Sequence, residues 1–163
     1  MRRVVQLAIL GIGFAGIAGS VAAQEDPAPV KTPGGPAGGT PKARLVVVLE
    51  GVRSRVGVVR LALYQDDAGF PSNHARAVQG RTEEIGGSEV RVVFEDLVPG
   101  TYALSAFHDE DGNGKLNRGI FGIPTEGIAF SRDARNPVGP PKWKDAKFDL
   151  PPGETTLTCH MRY

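Results

Sequence analysis

Side chains that carry oxygen recur at alternate positions in one short segment of the chain. The segment contains Asp109, Asp111, Asn113, Gly114 and Asn117. Calcium prefers about six to eight oxygen ligands on a flexible loop, in which a glycine permits a sharp bend. The spacing therefore predicts a calcium site. Its predicted ligands are Asp109, Asp111, Asn113, the backbone carbonyl of Lys115, and Asn117.

The predicted loop differs from an EF-hand in two ways. Ile120 occupies the position that normally supplies a bidentate glutamate, and the run that ends at His108 has the pattern of a strand instead of a helix. Glu110 and Glu126 are the carboxylates that could replace the missing ligand. Two alternatives remain open. One is a solvated loop whose Asp and Asn side chains bond their own backbone, and the other is a transition metal bound through His108.

Catalytic residues do not emerge from the sequence as a set. His108 beside Asp109 could act as a base with its orienting carboxylate, and Glu126 could take the place of Asp109, which would describe a hydrolase. A histidine at the end of a strand, bonded to its own loop, gives the same pattern. A single cysteine excludes an intramolecular disulfide. The sequence therefore favours a non-enzymatic protein, with the hydrolase kept as an alternative.

Short runs of β-branched residues, separated by turn signals, surround the predicted loop. The predicted strands are residues 44–52, 58–64, 89–94, 101–108, 146–150 and 155–163, and residues 76–85 are ambiguous. Gly86 and Gly87 predict a hairpin turn. About seven strands without an amphipathic helix predict an all-β, antiparallel sandwich. A long loop at about 109–145 completes it, and its Phe121, Phe130 and Trp143 are a candidate ligand surface.

The first 43 residues predict export. Residues 1–23 have a positive start, an apolar run and small residues at their end, which is typical of a secretory signal peptide. An uncleaved membrane anchor is the alternative. Residues 24–43 are rich in Pro and Gly and predict a flexible linker, so the folded domain is expected at 44–163. We expect a periplasmic or secreted protein with no membrane span after cleavage.

The balance of charges limits the partners. The chain has 19 Lys and Arg residues against 18 Asp and Glu residues, a formal net charge of +1. A nearly neutral chain without a basic block gives no electrostatic reason to bind nucleic acid or an anionic membrane surface. A protein or a glycan at the cell envelope is the expected partner. A purely structural envelope domain is the remaining alternative.

Two sets of residues resemble known families. Residues 93–102, with the sequence VFEDLVPGTY, resemble the F-x-x-L-x-P-G-x-Y turn of prealbumin-like and carboxypeptidase-regulatory-like sandwiches. A second resemblance, to the bacterial domain-of-unknown-function family two-one-four-one, covers nearly all of 44–163. It is carried by residues 57–64, 106–109, 112–116, 121–127 and 139–141. That resemblance implies a secreted or periplasmic domain, a prealbumin-like β-sandwich and no established activity. Family members often have Asp at the position of Asn117, so an ion site here would carry less negative charge.

Overall fold

The part of the chain that the computed structural model describes, residues 41–163, contains eight strands, most of them rich in β-branched and aliphatic residues. The strands are β1 (Ala43–Glu50), β2 (Val58–Tyr64), β3 (Gln79–Glu84), β4 (Glu89–Leu97), β5 (Gly100–Asp109), β6 (Ile128–Phe130), β7 (Phe148–Leu150) and β8 (Gly153–His160). The helical segments are the 3-10 turns His74–Arg76, Ile120–Gly122 and Ser131–Asp133, and α1 (Trp143–Ala146). The all-β class predicted from the sequence is confirmed.

The strands form two sheets. One has three strands in the order β4-β1-β8, and the other has five, with the order β3-β2-β5-β6 and β7 paired to β5. The described pairings are antiparallel except one, because β1 and β8 run parallel from Ala43↔Gly153 to Glu50↔His160. β1 pairs with β4 on one side and with β8 on the other, so its apolar run lies in the centre of the sheet.

The core lies between the two sheets. Alternate residues of each strand point inward, and the predicted inward set of β4, Val90, Val92 and Phe94, is buried. The facing sheet contributes Val59, Leu61 and Leu63 from β2, and Tyr102, Leu104 and Ala106 from β5. Burying one large apolar side chain of this kind contributes about 1.5–3 kcal/mol.

The predicted hairpin at Gly86 and Gly87 is wrong. β3 pairs with β2 and β4 pairs with β1, so the two glycines carry the chain from one sheet to the other. Val98, Pro99 and Gly100 make a second crossing, from β4 to β5. The Tyr102 hydroxyl donates a hydrogen bond of 2.6 Å to the Val98 carbonyl and closes that corner. A Gly-containing turn permits both a hairpin and a crossing, so the local sequence does not distinguish them.

The segment predicted to lack strands, residues 109–145, contains β6. Its three residues pair with Ser105, Ala106 and Phe107 of β5. Directly after β6, the buried Ser131 joins two elements. Its hydroxyl accepts a hydrogen bond of 2.9 Å from the Leu104 amide of β5 and donates one of 2.6 Å to the Ala146 carbonyl of α1.

The predicted signal peptide, residues 1–23, and most of the predicted linker, residues 24–43, lie outside the described residues. At the other side of that boundary, Ala43 already belongs to β1 and is buried. β1 thus begins one residue before the predicted strand, which started at residue 44. Within residues 41–163, no helix has the length and the apolar content needed to cross a bilayer.

We expect Ser131→Ala to lower the free energy of unfolding by about 1–3 kcal/mol, because it leaves a buried amide and a buried carbonyl without partners. Urea unfolding followed by fluorescence of the single tryptophan measures this. Ser88→Ala, at an exposed position, is the matched control. A loss below about 0.5 kcal/mol, the range of ordinary surface substitutions, would contradict the structural role of the hydroxyl.

Candidate cation site and adjoining groove

Asp109 is a charged residue at the end of β5 with no exposed surface. Its Oδ2 accepts hydrogen bonds from Arg60 Nε of β2, at 2.5 Å, and from the Gly114 amide, at 2.9 Å. Its Oδ1 is buried and has no hydrogen-bond partner in the described part of the chain. A buried carboxylate is unfavourable unless each oxygen is paired or coordinated to a cation. Asp109 therefore has one oxygen for which the described residues supply neither a hydrogen-bond donor nor a cation.

Glu126 reaches back over the loop that begins at Asp109. The side chain is buried at 4% exposure, and its two oxygens accept hydrogen bonds of 2.9 Å from the amides of Glu110 and Asn117. Glu110, the other carboxylate that the sequence offered as a closing ligand, faces elsewhere. Its oxygens each accept a hydrogen bond of 2.7 Å from Arg53, and this pairing lowers the pKa of the Glu110 carboxyl.

Asp109, Asp111 and Glu126 bring one carboxylate oxygen each to within 4.8 Å of one another. Oxygens bound to one calcium ion at about 2.3–2.6 Å can be separated by no more than about 5 Å, so this spacing fits a shared ion. Among residues 41–163, Arg60 is the one cation paired with this cluster. Three carboxylates with one guanidinium leave a local excess of negative charge that a divalent cation would balance.

Asp111 is exposed and organises the rest of the loop. Its Oδ1 accepts a hydrogen bond of 3.1 Å from the Asn113 amide, and its Oδ2 accepts bonds from the side-chain amides of Asn113, at 2.9 Å, and Asn117, at 2.7 Å. The Asn117 bond is the main cause of the lowered pKa of Asp111. Asn113 Oδ1 in turn accepts from the Lys115 amide at 2.7 Å. The loop thus caps its own backbone and gathers carboxylates at the same time.

His108 and Asp109 do not form a pair. Neighbouring residues of a strand point to opposite faces, and His108 points into the protein with no exposed surface. Its Nδ1 lies 2.8 Å from the Tyr163 hydroxyl and its Nε2 lies 2.7 Å from the Val56 carbonyl. Both ring nitrogens are therefore engaged away from the carboxylate cluster, and the structure does not bring this histidine together with Asp109 or Glu126.

A small hairpin follows the loop and projects from the sheet. Its backbone is held by the amide of Thr125 bonded to the Asn117 carbonyl, at 3.0 Å, and by the amide of Gly119 bonded to the Ile123 carbonyl, at 2.8 Å. At the tip, Phe121 is 96% exposed and has a positive φ of 63°. A large aromatic residue in the left-handed region is uncommon and strained, and such strain collects at functional sites.

A groove of about 750 Å³ lies beside this hairpin, on the outer face of the five-stranded sheet. Phe107 of β5 and Ile128 and Phe130 of β6 lie on its floor, since the alternate residues of these strands belong to the core. Residues 114–124 form one wall and residues 136–140 another. Exposed apolar side chains stand on both walls: Phe121 and Ile123 on one, Val138 on the other.

The three aromatic residues suggested as a ligand surface do not share one platform. Phe130 and Trp143 both pack edge-on against Phe70, with ring centroids 6.1 and 6.0 Å away. Phe121 forms no aromatic pair within residues 41–163. Phe121 and Phe130 line the groove, whereas Trp143 is half-buried in the separate cluster around Phe70.

Comparison with known proteins gives one family match. A profile described as "Uncharacterized protein conserved in bacteria (DUF2141)" matches residues 47–158, from β1 into β8. The match includes the whole loop from Asp109 to Glu126 and its hairpin. No curated protein and no solved structure matches the chain. The matched region is most of the chain and nearly all of its folded part, so the chain belongs to this uncharacterised bacterial family.

Proposed function

We propose that the chain is a periplasmic or secreted, non-enzymatic β-sandwich module that holds calcium in its 109–126 loop and binds a protein or a glycan at the cell envelope through the adjoining groove. The observation that carries this proposal is the groove with exposed apolar side chains on both walls, Phe121 at 96% and Val138 at 91% exposure. Exposed apolar surface of this kind marks binding sites.

Calcium fits the donors of the loop better than other metals. Carboxylate and amide oxygens are the hard ligands that calcium and magnesium prefer, and no thiolate or free imidazole lies in the described cluster. Calcium tolerates the irregular geometry of a loop, whereas magnesium demands near-ideal octahedral coordination. The fit rests on Asp109 Oδ1, the buried oxygen that has no other partner within residues 41–163.

Two asparagines can complete the shell. In the structure the amide nitrogens of Asn113 and Asn117 donate to Asp111 Oδ2. Nitrogen and oxygen of a side-chain amide exchange places by a half-turn of that group, which converts a donor to the carboxylate into a ligand for a cation. The cluster would then offer Asp109, Asp111 and Glu126 together with neutral oxygens. For an exposed loop of an exported protein, we expect a Kd on the order of 10⁻⁴–10⁻³ M.

The export of the module is inferred from the signal-like residues 1–23 and the Pro- and Gly-rich residues 24–43. Its non-enzymatic character is supported by the engagement of His108 with Tyr163 and Val56, which leaves the hydrolase alternative without a base beside the carboxylates. The strained and exposed Phe121 argues against a purely structural domain, because backbone strain of this kind is concentrated at functional sites.

We expect calcium to raise the melting temperature of the protein and EDTA to reverse the rise, because the ion binds the native state. At about 100 times the Kd the gain is about 2.7 kcal/mol, or several degrees. Asp109→Asn and Glu126→Gln should abolish the rise. Asp67→Asn, at an exposed position outside the loop, should keep it. No rise with about 10 mM calcium, or an equal rise in all variants, would exclude this site.

We expect Arg60→Gln to lower the free energy of unfolding in EDTA by about 1.5–3 kcal/mol, because Asp109 loses its charged partner. The lower half of this range is expected, since the Arg60 side chain is 33% exposed. In the Arg60→Gln background, Asp109→Asn should cost less than it does in the wild type, because the unpaired buried charge disappears. Urea unfolding of the four proteins forms the double-mutant cycle, and simple additivity would contradict the pairing.

We expect the groove to bind N-phenylnaphthylamine, a neutral apolar dye that fluoresces more strongly in apolar surroundings. Phe121→Asn and Val138→Asn should each weaken binding about three- to tenfold, because each removes apolar contact. Asn tolerates the left-handed backbone of position 121. Val98→Asn, an exposed valine outside the groove, is the control. Equal dye affinity in all four proteins would show that the groove is not the binding surface.

A further inference from the structure

One wall of the groove, residues 114–124, belongs to the same segment of chain as the carboxylate cluster. The lining residues on this wall run from Gly114 to Pro124, and all of them lie between Asp109 and Glu126. These two carboxylates, at the two ends of the segment, belong to the same cluster. An ion held by both would tie the ends of the segment together and reduce its freedom. A ligand that binds against this wall would then contact a surface that is already ordered.

The charge of the groove favours an anionic ligand. The charged or titratable residues that line it are His74, Lys115 and Arg118, and no carboxylate lines it within the described part of the chain. Lys115 forms no ion pair in residues 41–163, and Arg118 donates a hydrogen bond of 2.9 Å to the Gly122 carbonyl. Both side chains remain available to a carboxylate of a ligand.

The carboxylate cluster repels an anionic ligand until a cation neutralises the cluster. Asp109, Asp111 and Glu126 carry three negative charges, and Arg60 returns one positive charge. Gly114 lines the groove and donates its amide to Asp109 Oδ2 at 2.9 Å, so the cluster lies next to the groove. An anion bound within about a Debye length of it, about 8–10 Å, is repelled. One calcium ion supplies the two missing positive charges and removes the repulsion.

The walls favour a polypeptide over a glycan. Sugars are bound on exposed aromatic platforms, but Phe130 and Trp143 are engaged with Phe70. Of the three candidate aromatic residues, Phe121 alone is fully exposed at the rim in the described part of the chain. Phe121, Ile123 and Val138 instead present separate apolar contacts along an open channel. Separate apolar anchors, with charged groups in the same groove, match the alternating side chains of an extended peptide.

We propose that the groove recognises an acidic, apolar polypeptide segment of a partner protein, and that calcium in the 109–126 loop raises its affinity. This rests on the proposed function and specifies its partner and its regulation. The coupling is reciprocal, so the peptide raises the affinity for calcium by the same factor. Coupling between two sites of this kind is typically about 5- to 150-fold.

The test uses a fluorescein-labelled peptide of ten residues that alternates Leu and Glu, and a matched peptide in which Gln replaces every Glu. Fluorescence anisotropy measures the affinity of the full chain for each peptide with calcium and with EDTA, at one ionic strength. We expect the Glu peptide to bind at least about fivefold more tightly with calcium. The Gln peptide should bind more weakly than the Glu peptide in calcium.

Three variants test the charge of the groove and the calcium dependence of peptide binding. Lys115→Gln should reduce the preference for the Glu peptide over the Gln peptide, and the calcium-dependent rise in melting temperature should remain. Lys144→Gln, an exposed lysine of α1 outside the groove, should change neither measurement. Asp109→Asn should remove the calcium dependence of peptide binding.

Four results would overturn the proposal. Equal binding of the Glu and Gln peptides would remove the charge argument, and an affinity independent of calcium would remove the coupling. Binding of a neutral oligosaccharide, or of the apolar dye, but of neither peptide would replace the polypeptide by another ligand, with the proposed binding function intact. Failure of the dye and the peptides together would remove the groove itself as a binding site.

Discussion

The pairing of Arg60 with Asp109 fixes the position at which the loop after β5 begins. It places a buried carboxylate at the end of β5 and, through the second bond to the Gly114 amide, sets the first turn of the loop. The residue before β2, Gly57, packs closely against the backbone of Asp109. A side chain on Gly57, whose φ is 77°, would begin 2.0 Å from the Asp109 carbonyl oxygen. Only a glycine allows that approach, so the loop begins at a rigid position.

Glu126 gives the loop its second fixed point. A carboxylate that accepts two backbone amides, one at each side of the loop, acts like a short cross-link between positions distant in sequence. The hairpin lies between these two fixed points and projects from the sheet. The position of its exposed tip therefore depends on the carboxylates at its base. A site for an ion and a surface for a partner can therefore share one segment without a separate domain for either.

The sequence predicted what depends on neighbouring residues. The alternation of Val90, Val92 and Phe94 was enough to place the buried face of β4, and the spacing of Asp109 and Asp111 was enough to mark the loop. Contacts between distant residues were not accessible in the same way. Glu126 was one of two candidates, and only the fold shows that Glu110 belongs to Arg53. β6 was missed because three residues are too few to show a period.

The parallel pairing of β1 with β8 has a consequence for how the protein matures. Residues 43–50 bond to residues 153–160, so their sheet needs contacts across most of the folded chain. Such long-range pairing is slow to form, because a large loop must close first. Until residues 153–160 are present, one edge of the apolar strand β1 remains unpaired. An open apolar edge is a template for aggregation, and a chain with this topology would benefit from a chaperone that covers β1 until its last strand is available.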